Sequence, residues 1–482
     1  MPYHYIDTLL SNLNDNEKRT IEYHFSGKNN SEELLKRRYI QDITGITREE
    51  NYSLKVNRML KSRAFDEMTD VLTSDYHIHN KGNFASQDQV LLRLKKKILL
   101  ARIISKSLNQ NKMGPFKTFL NTIISEAEKH EVYEILIEGL NLKKYFFAIQ
   151  EGAKEFQKID KLITYFEHCQ KKTYYASDCY YSIVLNKRLL KFKNDKPFHS
   201  YILKTIRLLK FDYQKYRSAQ INYYLHIIQM FYYEQQKKYT ISAKYCKTLF
   251  TIVKNTPVLY KEARLGFALD NLSQYKTFTG NFNEAARYAK EAQKYYLENS
   301  QNYLISKQQE FYVYYYHRKY DKALGCVNEL LNHKLSDSGS FNQAKYIYFQ
   351  SVLLFSQRKF KQALNLLNKS LEIEKEKSAW NVSLRILNII LYLELNKPDD
   401  ATRLLEALRK YIQRNVKTHD IKPRDILIVK ALREFEKDGF IVKSKNAKLA
   451  KMLKDLSQKD KVLSWQYFTP ELIPFHEWLS SK

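Results

Sequence analysis

A small residue recurs at one position of successive amphipathic stretches in the second half of the chain. Ser242, Ala285, Ala323, Ala363 and Ala401 each stand three residues after the end of a short turn, and the four alanines are 38, 40 and 38 residues apart. Small or apolar residues follow each of them at four and seven positions, the spacing of one helix face. The pattern predicts an amphipathic helix after each turn.

The stretch before each turn has helical periodicity as well, for example in QEFYVYYYH and AKYIYFQSVLLF. Two helices cross closely only where a small side chain lies at their contact, and one helix pair cannot bury its own apolar face. Neighbouring pairs must therefore stack. The sequence predicts an all-α, right-handed solenoid of helix hairpins over residues 216–412.

This unit resembles the tetratricopeptide repeat. Gly280 matches the turn glycine of that family, the small residues match its second-helix position, and aromatic residues match its turn at Tyr239, Phe282, Tyr320 and Phe360. The period exceeds the usual length of about 34 residues, the first-helix tryptophan is absent, and one turn in five has the glycine. The resemblance implies a groove lined by the first helix of each hairpin. The opening LNDNEKR, followed by helical repeats, also resembles a group of uncharacterised bacterial repeat proteins, which implies no activity.

The segments outside the array divide the rest of the chain into three parts. Residues 1–90 predict an N-terminal helical bundle, and residues 91–215 predict degenerate hairpins of the same array. Residues 413–482 predict a C-terminal helical cap, which we expect Trp465 and Trp478 to seal. The array is thus predicted to have non-repeat helical caps at both ends.

Composition supports helices and sets limits on the environment. The 482 residues include only 11 glycines and 8 prolines, too few for a chain rich in turns. The first residues lack the pattern of a signal peptide, and the longest apolar run, LNIILYL, is too short to cross a membrane. The four cysteines form no C-x-x-C pair, so we expect buried thiols in a reducing compartment. The sequence predicts a cytoplasmic protein without membrane insertion.

The sequence contains no motif that indicates a catalytic reaction. The sequence lacks a phosphate-binding glycine loop, a G-x-S-x-G elbow and an H-E-x-x-H zinc motif. His77 and His79 lie near Asp75, but a polar loop with two histidines is the favoured interpretation over a metal centre. We therefore expect no catalytic residues, no metal, no cofactor and no enzymatic activity.

The predicted groove is one of two surfaces that favour a binding function. Carried over from the resembled family, the groove positions combine polar and aromatic side chains, which suit a protein or peptide segment. The alternative is that several of these side chains are packed between hairpins. The groove residues are Asp270, Gln274, Gln308, Tyr312, Tyr315, Tyr348 and Phe355.

The second surface is a basic stretch over residues 171–217. It has twelve Lys or Arg against three Asp, within a chain whose net charge is +29, and its interleaved aromatics could stack on bases. The alternative is a solvated basic face, since we expect most of these aromatics to face the core. The residues selected for polyanion binding are Lys187, Arg188, Lys191, Lys204, Arg207 and Lys210.

The favoured function is a non-enzymatic scaffold or adaptor that holds a protein or peptide in the groove. Two alternatives remain: a nucleic-acid or other polyanion binder, and a DNA-binding regulator in which N-terminal helices read DNA and the array senses a ligand. The sequence does not predict the partner or the oligomeric state.

Overall fold

The protein is all-helical over the residues that the computed structural model describes. Those residues are 69–71, 86–106, 110–148, 151–189, 196–337, 340–368, 378–415, 421–441, 446–458 and 463–482. Helices joined by short connections make up these ranges, which contain no β-strand. The all-α prediction is confirmed. The predicted N-terminal bundle lies outside the described residues except at 69–71 and 86–90.

The chain divides into two compact units, residues 1–170 and 171–482. In the first unit, α1 (Ser86–Ser105), α2 (Gln110–Lys129) and α3 (Tyr133–Lys143) pack on one another, and a π-helical turn follows at Lys144–Ala148. Helix α4 (Ala153–Leu189) begins in this unit and ends in the second. The predicted domain boundaries at residues 90, 215 and 412 remain predictions.

The second unit contains the hairpins. After α5 (Lys196–Tyr216), five helix pairs follow in order. They are α6 (Ala219–Gln235) with α7 (Tyr239–Asn255), α8 (Glu262–Phe278) with α9 (Phe282–Gln293), α10 (Gln301–Tyr316) with α11 (Tyr320–Leu331), α13 (Ser340–Ser356) with α14 (Phe360–Asn368), and α15 (Ser378–Glu394) with α16 (Pro398–Asn415). A short helix, α12 (Lys334–Asp337), lies between the third and fourth pairs.

The small residues lie where the sequence predicted. Ser242, Ala285, Ala323, Ala363 and Ala401 all have 0% exposure, so each second helix packs closely at this point. Each hairpin contacts its neighbour, and first helices also meet directly, as α8 meets α10 and α13 meets α15. The stacking of helix hairpins is confirmed for these five pairs.

All five hairpin turns have the same backbone geometry. The middle residue of each turn has a positive φ between 54° and 76°, at Lys237, Gly280, Arg318, Arg358 and Asn396. The next amide donates a hydrogen bond of 2.9 Å to a carbonyl five residues earlier, for example from Lys359 to Leu354. This arrangement is the Schellman motif, in which glycine is preferred at the left-handed position. The fold therefore keeps one turn geometry although only Gly280 has the preferred residue.

Three helices and an irregular segment complete the second unit. Helices α17 (Pro423–Lys437), α18 (Ala447–Ser457) and α19 (Phe475–Ser480) share a hydrophobic core with α15 and α16. Trp478 of α19 is buried in this core. Residues 463–474 form no helix or strand. We refer to residues 463–473 as the C-terminal loop.

Candidate functional site

The C-terminal loop lies against the first helices of the array. Its Phe468 ring packs edge-on to Phe278 of α8 and Tyr312 of α10, with centroid distances of 5.4 and 5.3 Å. Tyr467 and Trp465 pack edge-on to Tyr316, at 4.6 and 5.9 Å. Edge-to-face aromatic pairs stabilise beyond the apolar area that they bury. The first helices α8 and α10 therefore present an aromatic surface to this segment.

Tyrosine hydroxyls of the array bind the main chain of the loop. The Tyr348 hydroxyl donates to the carbonyl of Pro470 at 2.8 Å, and the Tyr315 hydroxyl donates to the carbonyl of Leu472 at 3.3 Å. The Tyr316 hydroxyl accepts from the amide of Phe468 at 2.9 Å. Burial raises the pKa of Tyr316 and Tyr348 well above the usual value, so both hydroxyls keep their protons. These contacts use backbone groups, which every peptide has.

The loop is closed by one buried arginine. Arg424 of α17 donates from Nε to Glu471 Oε2 at 2.5 Å and from Nη2 to Glu471 Oε1 at 2.8 Å. Its Nη1 donates to the carbonyls of Leu463 and Leu456. Burial and the nearby Arg424 lower the pKa of His476, whose Nδ1 lies 3.2 Å from Nη2 and can accept a hydrogen bond from it when the ring is neutral. One guanidinium thus holds both ends of the loop.

The predicted groove residues fall into two groups. Tyr312, Tyr315 and Tyr348 lie beneath the loop, with 8%, 8% and 3% of their surface exposed. Gln308 instead bridges two first helices, since its amide donates to the Tyr346 hydroxyl at 3.1 Å. Phe355 is half-buried and contacts Phe360, at a centroid distance of 5.3 Å. Gln274 is half-buried on α8.

Asp270 also lies between hairpins. It accepts hydrogen bonds from the Ser306 hydroxyl at 2.7 Å and from the Tyr296 hydroxyl at 3.0 Å. Burial raises the pKa of Asp270 to about 7, and the two hydroxyl donors only partly oppose this shift. The Tyr296 ring reaches Asp270 over Gly266, where a Cβ would lie 2.5 Å from the ring. Asp270 therefore links neighbouring hairpins.

Sequence reasoning missed the residues that complete this site. Phe278 and Tyr316 are the last residues of their helices, beyond the groove positions carried over from the resembled family. The Arg424–Glu471 ion pair joins residues 47 positions apart. The signal that could have found the loop is its composition, WQYFTPELIPF, which has too many aromatic residues for a solvated segment.

The basic surface is partly described. Lys204, Arg207 and Lys210 are exposed on α5, and no carboxylate of the described residues forms an ion pair with them. The backbones of Lys187 and Arg188 belong to α4, whereas their side chains and all of Lys191 lie outside the described residues. The expectation that most aromatics here face the core is wrong for Tyr174, Tyr175, Tyr201 and Phe211, which are exposed. The buried face of α5 is instead formed by residues such as Ile202, Ile206 and Leu209.

Other features of the described residues bear on chemistry. All four cysteines are buried thiols, as expected. Within the described ranges, no group of His, Cys, Asp or Glu could hold a metal ion, and the predicted loop with Asp75, His77 and His79 lies outside those ranges. No helix in the described part of the chain is both long and apolar enough to span a bilayer.

No protein-family model and no curated protein sequence matches the chain. Among solved structures, the chain is similar to BtubC from P. vanneervenii, at 14% identity and a TM-score of 0.36, over 52% of this chain and 93% of that one. It is also similar to a signal transduction ATPase with numerous domains and a tetratricopeptide repeat sensor from Pyrococcus horikoshii, at 13% identity and a TM-score of 0.42. That similarity covers 86% of this chain and 66% of the other. At this level, neither similarity assigns a function.

Proposed function

We propose that the protein is a non-enzymatic scaffold that holds a segment of a partner protein against one surface of its helical array. This tyrosine surface is formed by Tyr312, Tyr315, Tyr316 and Tyr348. The observation that carries this proposal is the set of hydrogen bonds that the Tyr315, Tyr316 and Tyr348 hydroxyls form with the main chain of an irregular segment. Hydroxyls that bind backbone groups accept many sequences, and aromatic side chains add affinity. The combination suits a peptide more than a small substrate.

The finer architecture is part of the same proposal. The five hairpins wind as a right-handed, tetratricopeptide-like solenoid, and helices outside the repeats cap its ends. Stacked hairpins with a small residue at each contact support this geometry. The buried thiols support a cytoplasmic location, where reducing conditions maintain them.

Photo-crosslinking tests the groove directly. The full-length protein with p-benzoylphenylalanine in place of Gln274, on the first helix α8, is purified from the native cell after irradiation. A matched protein has the same group in place of Arg287, which is exposed on the second helix α9. We expect a partner that copurifies with both proteins to crosslink from position 274 and not from position 287. Crosslinking from position 287 alone would place the partner on the other side of the array and contradict the proposal.

A polyanion-binding function is the second candidate, because the structure exposes aromatic side chains beside unpaired cations. Phe211 and Tyr201 are exposed on α5, the helix that also presents Lys204, Arg207 and Lys210. Cations that pair with phosphates and rings that stack on bases are the two components of single-strand binding. The two functions are separable, since this surface and the tyrosine surface use different residues. The N-terminal bundle of the other alternative, the DNA-binding regulator, lies outside the described residues except at 69–71 and 86–90.

A further inference from the structure

The C-terminal loop covers the surface assigned above to a partner. Its tip, Tyr467 and Phe468, occupies the aromatic surface, and its carbonyls take the hydroxyl donors of Tyr315 and Tyr348. A partner segment needs the same rings and the same donors. The loop and a partner cannot bind there together.

The tip of the loop can leave this surface while the rest of the tail stays in place. Phe475, Trp478 and Leu479 of α19 belong to the hydrophobic core that α15 to α19 share, which we call the C-terminal core. The Trp478 indole also donates a hydrogen bond to Glu394 at 2.6 Å. In contrast, Tyr467, Phe468 and Pro470 are only half-buried, whereas Leu472 farther along the loop is buried and Glu471 is bound by Arg424. Stability within a protein varies locally, and segments with few buried contacts open first. Opening of the tip therefore does not require loss of the C-terminal core or of the Arg424–Glu471 ion pair.

Phe468 has a backbone conformation that favours opening. Its φ is 58°, in the left-handed region that residues with a Cβ rarely adopt. Such a conformation persists only where the surroundings hold it, here the amide contact with Tyr316 and the packing on Phe278 and Tyr312. Release of the tip relieves this strain.

We infer that the C-terminal loop is a built-in competitor for the groove, and that the partner segment has an aromatic residue followed two positions later by proline. This inference rests on the groove binding proposed above. Phe468 and Pro470 show why this spacing fits: the ring enters the aromatic surface, and the proline presents a carbonyl to Tyr348. Because proline has no backbone N–H, the groove needs no hydrogen-bond acceptor at the position that Pro470 takes in the loop.

The competition sets a measurable penalty on affinity. When only a fraction of molecules is open, the apparent dissociation constant of a partner rises by the inverse of that fraction. Weakening the loop without changing the array therefore tightens binding. Phe468 is the residue to change, because its ring belongs to the loop and none of the tyrosine donors is altered.

The experiment uses the full-length protein and a fluorescein-labelled peptide with the sequence of residues 464–474, measured by fluorescence polarisation. We expect Phe468→Ala to bind this peptide about tenfold or more tightly than the wild type, because the open fraction rises. Gln466→Ala is the matched control, since Gln466 is an exposed residue of the same loop. Its affinity should equal that of the wild type. Adding Tyr312→Ala to Phe468→Ala should remove most of the gain.

Hydrogen exchange of the wild type gives a second measurement that needs no variant. A saturating amount of the unlabelled peptide should accelerate exchange of the loop amides, including that of Phe468. Unchanged exchange, or equal affinity of the wild type and a folded Phe468→Ala protein, would overturn the competition while crosslinking from position 274 still supports the groove. If Tyr312→Ala leaves the affinity of Phe468→Ala unchanged, the peptide binds elsewhere, and this inference and the groove both fail.

Discussion

Gly266 is the position on α8 where a side chain has no room. A Cβ there would lie 2.5 Å from the Tyr296 ring, which is held by its hydrogen bond to Asp270. Overpacking of this kind costs about 1–3 kcal/mol, and the better helix propensity of alanine returns about 1 kcal/mol. We expect Gly266→Ala to lower the urea midpoint of unfolding.

Gly325 is the matched control for this change. It lies in helix α11, and a Cβ there would meet nothing within 4 Å. Gly325→Ala should therefore gain helix propensity alone, about 1 kcal/mol, and raise the urea midpoint. Equal effects of the two substitutions would show that Tyr296 does not restrict Gly266.

Asp270 predicts a pH dependence of stability. Its pKa is raised by burial from the usual 3.8 to about 7 in the folded chain. Between these values the folded state binds a proton that the unfolded state has released, so the contribution of Asp270 to stability falls as the pH rises. We compare the free energy of unfolding of Asp270→Asn with that of the wild type. From pH 5 to pH 8 this difference should shift in favour of Asp270→Asn by about 2–4 kcal/mol.

The measurement is the urea midpoint of both proteins at pH 5 and pH 8. Subtracting the variant from the wild type removes the effects of other groups, such as Asp425, whose pKa burial raises to about 6. A difference between the two proteins that does not change with pH would contradict the prediction. It would mean that Asp270 is ionised without penalty.

At the residue scale, the sequence predicted part of the candidate site. Tyr312, Tyr315 and Tyr348 stand at groove positions of a recognisable repeat and do lie on one surface. Asp270 and Gln308 have the same periodicity but pair between hairpins. Periodicity gives the face of a helix on which a residue lies. It does not show whether a side chain of a neighbouring hairpin, or a distant segment of the chain, binds that residue and makes it unavailable to a partner.

The hairpin turns share a backbone geometry that most of their residues do not favour. Four of the five turns place a Lys, Arg or Asn in the left-handed region, at a cost of about 1–2 kcal/mol each for residues with a Cβ. Glycine removes this cost but loses about 0.4–1 kcal/mol through the greater freedom of the unfolded chain. We expect Arg358→Gly to raise the free energy of unfolding by about 0.5–1 kcal/mol, measured as the urea midpoint.

The reverse change tests the same geometry. Gly280 has a φ of 76° in the second hairpin turn. Gly280→Ala should lower the urea midpoint by an amount similar to the gain from Arg358→Gly, because the turn is the same. A gain from both substitutions, or a loss from both, would show that the turns do not share one energetic preference.

The elements themselves were predicted where the sequence repeats and missed where it does not. Small residues 38 to 43 positions apart identify all five hairpins, because close helix contacts leave little choice of side chain. Helix α4, which is 37 residues long, lacks such a repeat, and no spacing indicated its length. The C-terminal loop was also missed as an element, since irregular segments have no period. Its position depends on Arg424 and Glu471, whose pairing no local pattern predicts.

At the scale of the whole molecule, the surplus of positive charge has no explanation in the fold. The chain has 81 Lys and Arg against 52 Asp and Glu. Net charge affects partners and association rates and does not select a fold. The described cations of α5 lie beside exposed aromatic side chains. Helix α7 has fewer exposed aromatic side chains, and its exposed lysines include Lys244, Lys247 and Lys254. Charge reversal on each helix therefore separates binding by the α5 surface from an effect of the net charge of the chain.

The corresponding prediction concerns binding of a single-stranded oligonucleotide to the full-length protein. If the α5 surface binds phosphates, affinity should fall steeply from 50 to 200 mM salt. Reversal of Lys204, Arg207 and Lys210 to Glu should then weaken binding by about tenfold or more and reduce the salt slope by about 2, the share of three phosphates on a single strand. Fluorescence anisotropy at four salt concentrations measures both quantities.

Reversal of Lys244, Lys247 and Lys254 to Glu is the matched control, because it changes the net charge by the same amount on α7. An equal loss of affinity in both triple variants would assign binding to net charge and not to the α5 surface. Absence of binding at 50 mM salt would remove the polyanion function altogether, since the electrostatic contribution is large at low salt. Where binding is observed, Tyr312→Ala should leave it unchanged, because the Tyr312 side chain has no positive charge to pair with a phosphate.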